Sequence, residues 1–299
     1  MGKMKGFKAA LIQMKMSNKK SENVSNAISK IEEACSNGAD VICLPELFMT
    51  RYFCQSEDTT NFDLADKISD DVISRFKIAA SKLKAVLILP YFEKRTSGVY
   101  HNSAAVIDSN GKITGTYRKM HIPDDPGYYE KYYFTPGDLG YKVFNTSCGE
   151  IGVLICWDQW FPEAARLVSL SGANIIFYPT AIGWHPGEKE EFGKNQLDAW
   201  KTVQRGHAIA NGVFVASVNR IGFEENNNKT GIEFWGNSFL CDPQGVIISE
   251  ASSNKEEIIY ADIDLSILEN TRRNWPFLRD RRIDSYQDLD KRFVDSNSK

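Results

Sequence analysis

The amino-acid sequence predicts a layered α/β protein. Strand patterns alternate with amphipathic helix patterns in both halves of the 299-residue chain, and this alternation is typical of α/β folds. Several strand patterns are continuous apolar runs, as expected for strands whose two faces are both covered. Because no linker rich in Pro, Gly or Ser divides the chain, we predict one domain over residues 1–299, with a C-terminal extension from about residue 275.

The first half of the chain contains strands, two helices and a hairpin. The first helix is amphipathic and stops at Asn37-Gly38, a common C-terminal signal. Ser69-Asp70-Asp71 caps the second helix, whose apolar contacts are expected from Ile73, Phe76, Ile78, Ala80 and Leu83. The predicted elements are strand 7–14, helix 21–36, strand 40–44, helix 71–84, strand 85–92, and strands 100–108 and 112–117, which turn at Ser109-Asn110-Gly111.

A long loop from Met120 to about Gly140 opens the second half, and its length suggests a function. Pro162 starts a helix soon after Cys156, because the missing N–H of proline is no loss at a first helical position. The predicted elements are two strands before Cys156, helix 162–172, strand 174–178, helix 196–211, strand 213–218, a hairpin of strands 233–241 and 246–250, strand 258–263 and helix 266–272.

The charge and the cysteine content exclude several classes of protein. The net charge of −3 and the pI near 5.9 argue against general nucleic-acid binding. The 6 cysteines form no C-x-x-C pair and no close Cys/His cluster, so we expect neither a zinc site nor a redox dithiol. No G-x-G-x-x-G or P-loop pattern is present, and we predict no metal and no organic cofactor. The arginine-rich segment 272–282 is compatible with a subunit contact or with a solvated tail.

The N-terminal sequence leads directly into a strand pattern. It contains no signal-peptide core, and no apolar stretch of the chain approaches the length of a membrane span. We therefore expect a cytoplasmic protein without a membrane partner. A reducing compartment of this kind suits a thiol nucleophile.

Cys156 is the first candidate functional residue. It follows a buried-strand pattern and precedes the helix that Pro162 starts. A thiol at such a corner lies at a sheet edge that a substrate can reach, and backbone N–H groups there can bind an oxyanion. A small buried hydrophobe is the alternative, because free cysteines are often part of the core. This segment alone favours the two interpretations equally.

Two further segments place ionisable residues after strand patterns. Glu46 follows the apolar run 40–44 and Pro45, and a carboxylate there is costly unless it is solvated, paired or used. Lys119 lies at the junction between strand 112–117 and a loop bounded by Pro123. Taken singly, Glu46 is compatible with a structural ion pair and Lys119 with an ordinary solvated strand end.

Together the three segments resemble the nitrilase superfamily of carbon–nitrogen hydrolases, over residues 8 to about 277. The resemblance implies a Glu–Lys–Cys triad formed by Glu46, Lys119 and Cys156, and the sequence matches the family pattern at all three positions. It also implies that Glu130 is a second glutamate that supports the triad.

The resemblance further implies a fold and a substrate. The fold is a four-layer α-β-β-α sandwich of two sheets that usually pairs with a second subunit, so a homodimer or higher homo-oligomer is expected. Segment 121–130 is most similar to the branch of the superfamily that hydrolyses N-carbamoylputrescine to putrescine, carbon dioxide and ammonia in polyamine biosynthesis. The expected partner is therefore a small carbamoyl amine.

The implied chemistry requires an activated thiol, because a free thiol with a pKa of about 8.5 is mostly protonated at pH 7. We expect Glu46 to take the Cys156 proton and pass it to the leaving amine. Lys119 would favour the thiolate and stabilise the oxyanion together with the backbone N–H of Trp157. Glu130 would orient Lys119 and bind water. The chain has 4 histidines and no G-x-S-x-G elbow, which disfavours a Ser-His-Asp triad.

The charge of the binding pocket indicates the substrate. A carbamoyl amine carries an ammonium group, which requires acids or aromatic faces nearby. The loops 120–138 and 181–198 are acidic and aromatic, and we expect Glu188, or in second place Asp125, to bind the ammonium. Tyr52, in the loop after Glu46, is expected to join the aromatic side chains that contact it. The alternative is that these acids form a solvated rim.

Two other functions stay open. A related amidohydrolase acting on N-carbamoyl-β-alanine, an aliphatic amide or a nitrile would keep the triad and differ in pocket charge. A non-catalytic scaffold on the same fold would have no need of Glu46, Lys119, Cys156 and Glu130 together.

Overall fold

Two large β-sheets and one small sheet organise the computed structural model, which describes residues 6–226 and 230–295. The helices are α1 (Lys20–Ser36), α2 (Asp71–Leu83), α3 (Glu130–Tyr133), α4 (Pro162–Leu170), α5 (Lys189–Asn211) and α6 (Leu265–Asn274). The strands are β1 (Phe7–Gln13), β2 (Val41–Cys43), β3 (Val86–Thr96), β4 (Val99–Ile107), β5 (Ile113–Arg118), β6 (Val143–Thr146), β7 (Gly149–Val153), β8 (Ile175–Pro179), β9 (Gly183–Trp184), β10 (Phe214–Val218), β11 (Ile221–Glu225), β12 (Gly231–Trp235), β13 (Phe239–Cys241), β14 (Ile247–Glu250) and β15 (Glu257–Ile263).

The two large sheets have six strands each. Their orders are β15-β1-β2-β3-β4-β5 and β14-β13-β10-β8-β7-β6, and the small sheet has the order β11-β12-β9. Neighbouring strands are parallel from β1 through β2 to β3 and from β10 through β8 to β7. Every residue of β8 and β10 is buried, which confirms that helices and sheets cover both faces of the central strands.

Side-chain alternation along the strands builds four layers. In β1, Ala9 and Leu11 face the core shared with the second sheet, whereas Ala10 and Ile12 face helices α1 and α2. Helices α4 and α5 cover the second sheet from the other side, where Trp200 is fully buried. The predicted four-layer α-β-β-α sandwich is therefore confirmed.

The predicted strand 233–241 is wrong, because the structure divides this segment between two sheets. Strand β12 pairs with β11 in the small sheet, and β13 pairs with β14 in the second large sheet. Gly236 and Asn237 separate them with φ angles of 57° and 53°. A Cβ on Gly236 would lie 2.5 Å from Ile221, so the turn requires glycine there. The small sheet itself was not predicted.

Two helix predictions also need correction. Helix α5 begins at Lys189, seven residues before the predicted start at Gln196, so much of the supposed loop 181–198 is helical. In α2, Ile78 is 67% exposed rather than packed. Ile73, Phe76 and Ala80 lie on the buried face of this helix, and Ile78 is two residues from Phe76, which turns it away from them.

The strand ends bring distant parts of the chain to one place. Glu46 follows β2 by three residues, Lys119 comes directly after β5, and Cys156 follows β7 by three residues. These strands belong to the two sheets that pack face to face. Among the described residues, no helix combines the length and the apolar character that a membrane span needs.

Candidate active site

A buried lysine lies between two buried carboxylates. Lys119 Nζ donates to Glu46 Oε1 at 2.8 Å and to Glu130 Oε2 at 2.6 Å. All three side chains are almost completely excluded from solvent. The structure therefore brings together three of the residues that the sequence predicted, although 73 positions separate Glu46 from Lys119.

Backbone and side-chain bonds fix this cluster. The Lys119 N–H donates to the carbonyl of Asn102 in β4, and the Lys119 carbonyl accepts from Gly137. The Asn102 amide donates to Glu46 Oε1 at 2.7 Å. Tyr52 donates its hydroxyl to Glu130 Oε1 at 2.7 Å. Each carboxylate thus has a neutral donor in addition to the lysine, which sets its orientation.

Cys156 occupies a strained backbone position at the start of a short 3₁₀ turn, Cys156–Trp160. Its φ angle is 45°, a region that residues with a Cβ rarely adopt. The buried Asp158 carboxylate holds the corner, because it accepts from the Ile155 N–H at 2.9 Å and from the Tyr117 hydroxyl at 2.8 Å. Such strain persists only where the surroundings over-determine it.

The electrostatics of the site keep the thiol protonated at rest. Burial raises the pKa of Cys156 well above 9.0, Glu46 raises it further, and Lys119 opposes them without prevailing. Lys119 does favour the thiolate, but the effect of burial on the Cys156 pKa is larger. Burial alone would lower the pKa of Lys119, but Glu130 and Glu46 raise it well above 10.5, so the lysine is cationic.

Glu130 differs from an ordinary carboxylate. Burial raises its pKa to about 7, with Lys119 opposing and Glu46 adding to the rise. Glu46 Oε2 is also distinctive, because this buried oxygen accepts no hydrogen bond from the residues the structure describes. An unpaired buried carboxylate oxygen is costly, and this one leaves Glu46 with an unused hydrogen-bond acceptor.

A cavity of about 480 Å³ opens beside Cys156. Within the described part of the chain, its wall contains three acids and no Lys or Arg. The wall is formed by Pro123, Asp125, Pro126, Tyr128, Glu130, Cys156, Trp157, Trp160, Ala181, Ile182, Gly183, His185, Glu188, Gln196, Ala199 and Trp235. A cavity of this size and mixed lining suits a small polar substrate with an apolar chain.

The predicted pocket residues divide into two groups. Trp157, Asp125 and Glu188 line the cavity, and the two acids are exposed at its rim. Tyr52 does not line it, because the ring is buried behind Glu130 and its hydroxyl is bonded to that carboxylate. The prediction that Tyr52 joins the substrate-binding aromatic residues therefore needs correction.

Several lining residues carry no functional signal in the sequence. Trp235 belongs to an apolar run that indicates only a core strand, and the pattern at Gln196 predicts only the start of a helix. His185 carries no motif, yet its ring contacts Tyr128 edge-on at 5.7 Å and both line the cavity. Among the described residues, no group of His, Cys, Asp and Glu could hold a metal ion.

Comparison with known proteins adds relatives to this geometry. The family model described as Carbon-nitrogen hydrolase matches residues 8–273. An N-carbamoylputrescine amidase from Oryza sativa subsp. japonica is 43% identical over 287 residues, which cover 94% of this chain and 93% of that protein. A citrullinase from Francisella tularensis is 42% identical over 291 residues, which cover 97% of this chain and 100% of that protein.

A solved structure has the same fold. The crystal structure of a carbon-nitrogen hydrolase from Helicobacter pylori G27 superimposes with a TM-score of 0.94 at 46% sequence identity, covering 97% of this chain and 100% of the other. The family match spans most of the sequence, and the relatives extend over nearly all of it. This chain therefore belongs to the carbon-nitrogen hydrolase family of the nitrilase superfamily.

Proposed function

We propose that this protein hydrolyses N-carbamoylputrescine to putrescine, carbon dioxide and ammonia, with Cys156 as the nucleophile. One observation carries the proposal: the buried Glu46–Lys119–Glu130 cluster adjoins a cysteine in an acidic cavity whose described wall has no Lys or Arg. The cluster supplies the chemistry of amide hydrolysis, and the charge of the cavity favours a cationic substrate. The related N-carbamoylputrescine amidases give further support.

The first step is attack of the Cys156 thiol on the ureido carbon. Because burial keeps this thiol protonated, the proton must leave as the S–C bond forms. Glu46 Oε2 is the acceptor, since none of the residues that the structure describes donates a hydrogen bond to this oxygen. General-base assistance of this kind contributes about 10²- to 10⁴-fold to a rate.

Charge then develops on the former carbonyl oxygen. Lys119 is cationic and held from both sides, so it can stabilise this oxygen without reorganisation. The backbone N–H of Trp157, second in the 3₁₀ turn, is the other donor, because the first N–H groups of a helical turn have no partner inside it. Losing one such donor costs roughly 3 kcal/mol of transition-state stabilisation.

Breakdown of the tetrahedral species completes the first half-reaction. Glu46 returns its proton to the leaving nitrogen, the C–N bond breaks, and ammonia departs from a thiocarbamate on Cys156. Water then attacks the thiocarbamate carbon as Glu46 accepts one of its protons. The C–S bond breaks, the thiol recovers that proton, and the released carbamate decomposes to carbon dioxide and putrescine. Glu130 orients Lys119 throughout.

The second part of the proposal concerns recognition of the substrate ammonium. Asp125 and Glu188 stand at the cavity rim, and no side-chain hydrogen bond or ion pair with another described residue occupies either of them. Tyr128 and Trp157 add aromatic faces to the same wall, and such faces attract ammonium groups by about 0.5–2 kcal/mol. A substrate carboxylate in the cavity would find no Lys or Arg as a partner among the described residues that line the wall.

Citrulline is the second candidate substrate. It carries the same ureido group, and a protein named citrullinase is 42% identical to this chain. Citrulline also carries an α-carboxylate beside its α-ammonium, and an acidic wall disfavours that carboxylate. We therefore rank it below N-carbamoylputrescine, together with the predicted alternatives N-carbamoyl-β-alanine, an aliphatic amide and a nitrile.

A substrate panel tests the proposal. Ammonia release would be measured from N-carbamoylputrescine, citrulline, N-carbamoyl-β-alanine, an aliphatic amide and a nitrile, with wild type and Cys156→Ala. We expect the highest kcat/KM for N-carbamoylputrescine and no turnover by Cys156→Ala. Preference for citrulline would retain the mechanism and refute the proposed substrate, whereas turnover by Cys156→Ala would refute the mechanism.

A pair of matched variants tests the recognition of the ammonium. Glu188→Gln should raise KM for N-carbamoylputrescine about three- to tenfold with kcat unchanged, as expected for a charge contact at a solvated rim. Glu191→Gln is the control, because Glu191 lies three residues further on in the first turn of α5, is exposed and does not line the cavity. An unchanged KM in Glu188→Gln would remove Glu188 from the site and leave Asp125 to be tested in the same way.

A further inference from the structure

A buried ion pair lies behind the candidate active site. Arg220 follows β10 and has no exposed surface, and its Nη1 donates to Glu224 Oε1 of β11 at 2.9 Å. Glu224 is 2% exposed. The Arg220 guanidinium also lies 5.2 Å from the centre of the Phe234 ring. Neither charged residue lines the cavity, so neither can contact the substrate there.

Arg220 binds the backbone that carries Glu46. Its Nη2 donates to the Glu46 carbonyl at 2.6 Å and to the Leu47 carbonyl at 3.0 Å, and its Nη1 reaches the Thr50 carbonyl at 3.2 Å. Leu47 has a φ angle of 50°, an unfavourable conformation for a bulky residue. The guanidinium therefore fixes a strained loop by binding three of its carbonyls, and the Glu46 side chain projects from that loop.

Glu224 links the ion pair to Glu130, the second carboxylate that binds Lys119. Its Oε2 accepts from the backbone N–H of Tyr52 at 2.6 Å, and the Tyr52 hydroxyl donates to Glu130 Oε1 at 2.7 Å. One ion pair is thus linked to Glu46 through the main chain and to Glu130 through Tyr52. These two carboxylates are the ones that hold Lys119.

We propose that the Arg220–Glu224 ion pair is a positioning device that aims the Glu46 carboxylate at Cys156. The inference rests on the proposed role of Glu46 as general base. Buried ion pairs are weak evidence for stability, because apolar pairs of similar volume often serve equally well. The specific bonds to the Glu46 and Leu47 carbonyls give this pair a geometric role that an apolar pair could not reproduce.

The test compares variants that leave no unpaired buried charge. Arg220→Met combined with Glu224→Gln removes the guanidinium, while the glutamine can still accept from Tyr52. The control is Lys20→Met combined with Asp66→Asn, which removes an ion pair from a site away from the cavity. Two rates are measured over a range of pH: turnover of N-carbamoylputrescine, and alkylation of Cys156 by iodoacetamide, located by peptide mass spectrometry.

The Arg220/Glu224 variant should lose activity through kcat. Because a small misplacement of a catalytic group is costly, we expect kcat and the alkylation rate at neutral pH to fall about tenfold to a hundredfold, with KM within about twofold of wild type. Arg220→Lys should keep more of the wild-type kcat than the double variant does, since an ammonium can reach some of the same carbonyls. The control should keep both rates.

Two results would overturn the inference: rates within twofold of wild type in the folded Arg220/Glu224 variant, or an equal loss in the control. If circular dichroism shows that the double variant does not fold, the kcat of Arg220→Lys is used to test the inference instead. A drop in kcat of fivefold or more at constant KM would then support the inference, and an unchanged kcat would overturn it. The alkylation rate needs no substrate, so it separates this inference from failure of the proposed function.

Discussion

Replacing Glu46 with glutamine tests the general base while preserving its surroundings. The glutamine oxygen can still accept from Lys119 Nζ and from the Asn102 amide, which lie 2.8 Å and 2.7 Å from Glu46 Oε1. What is lost is a basic oxygen at the position of Oε2. A thiol with the ordinary pKa of about 8.5 is about 3% ionised at pH 7, and burial raises the pKa of Cys156 and lowers this fraction further.

The expected effect follows from that ionised fraction. Without an acceptor for the proton, kcat/KM should fall about 10²- to 10⁴-fold, or roughly 3–5 kcal/mol of barrier. The residual rate should rise with pH with a slope of about one in log units, because only the pre-formed thiolate can attack. Steady-state ammonia release from pH 6 to 10 measures both effects.

A control substitution separates catalysis from folding. Asp66→Asn neutralises another buried carboxylate, which binds Lys20 away from the cavity. It should leave kcat/KM unchanged. A Glu46→Gln enzyme that retained more than a tenth of wild-type kcat/KM at pH 7 would refute the reasoning, and so would a flat pH dependence of its residual rate.

Three further predictions concern the surroundings of the site. Burial raises the pKa of Glu130 from 4.5 to about 7, so the native state binds this proton more tightly than the unfolded chain. The free energy of unfolding should therefore fall by about 3 kcal/mol on this account as pH rises from about 4.5 to about 7. In urea titrations, the free energy of unfolding of Glu130→Gln should depend less on pH than that of wild type. Identical pH dependences would refute Glu130 as the cause. Asp158→Asn should lower kcat and cost roughly 1–3 kcal/mol of stability, because the Asp158 carboxylate accepts from the Ile155 N–H and the Tyr117 hydroxyl. An unchanged kcat and an unchanged free energy of unfolding would contradict this role of Asp158. Phe76 is fully buried on the inner face of α2, so Phe76→Ala should cost about 3–5 kcal/mol of stability in denaturant while kcat of the folded fraction persists; a loss below 1 kcal/mol would contradict the packing.

Local patterns predicted most elements of the two large sheets. Continuous apolar runs marked β8 and β10, and turn residues marked the hairpin of β4 and β5, since these signals act over a few neighbouring residues. They failed at β12 and β13, where an apolar run crosses a turn at Gly236 and Asn237. They also failed at the start of α5, because its first turns are exposed and lack apolar periodicity.

The candidate site was predictable only in part. Glu46, Lys119 and Cys156 follow strand patterns, but their association came from a family resemblance, because pairing across two sheets leaves no local signal. Arg220 shows the limit most clearly. An arginine after an apolar strand indicates a solvated end, and only the folded chain reveals that it is fully buried and bonded to the Glu46 carbonyl.

The most direct test of the account is rapid-quench mass spectrometry of the enzyme mixed with N-carbamoylputrescine, carried out on wild type and Cys156→Ala. We predict a covalent species heavier than the free chain by the mass of the substrate less ammonia, located on Cys156 and absent from the variant. An adduct on another residue, or turnover that persists in Cys156→Ala, would contradict the assignment of Cys156 as the nucleophile.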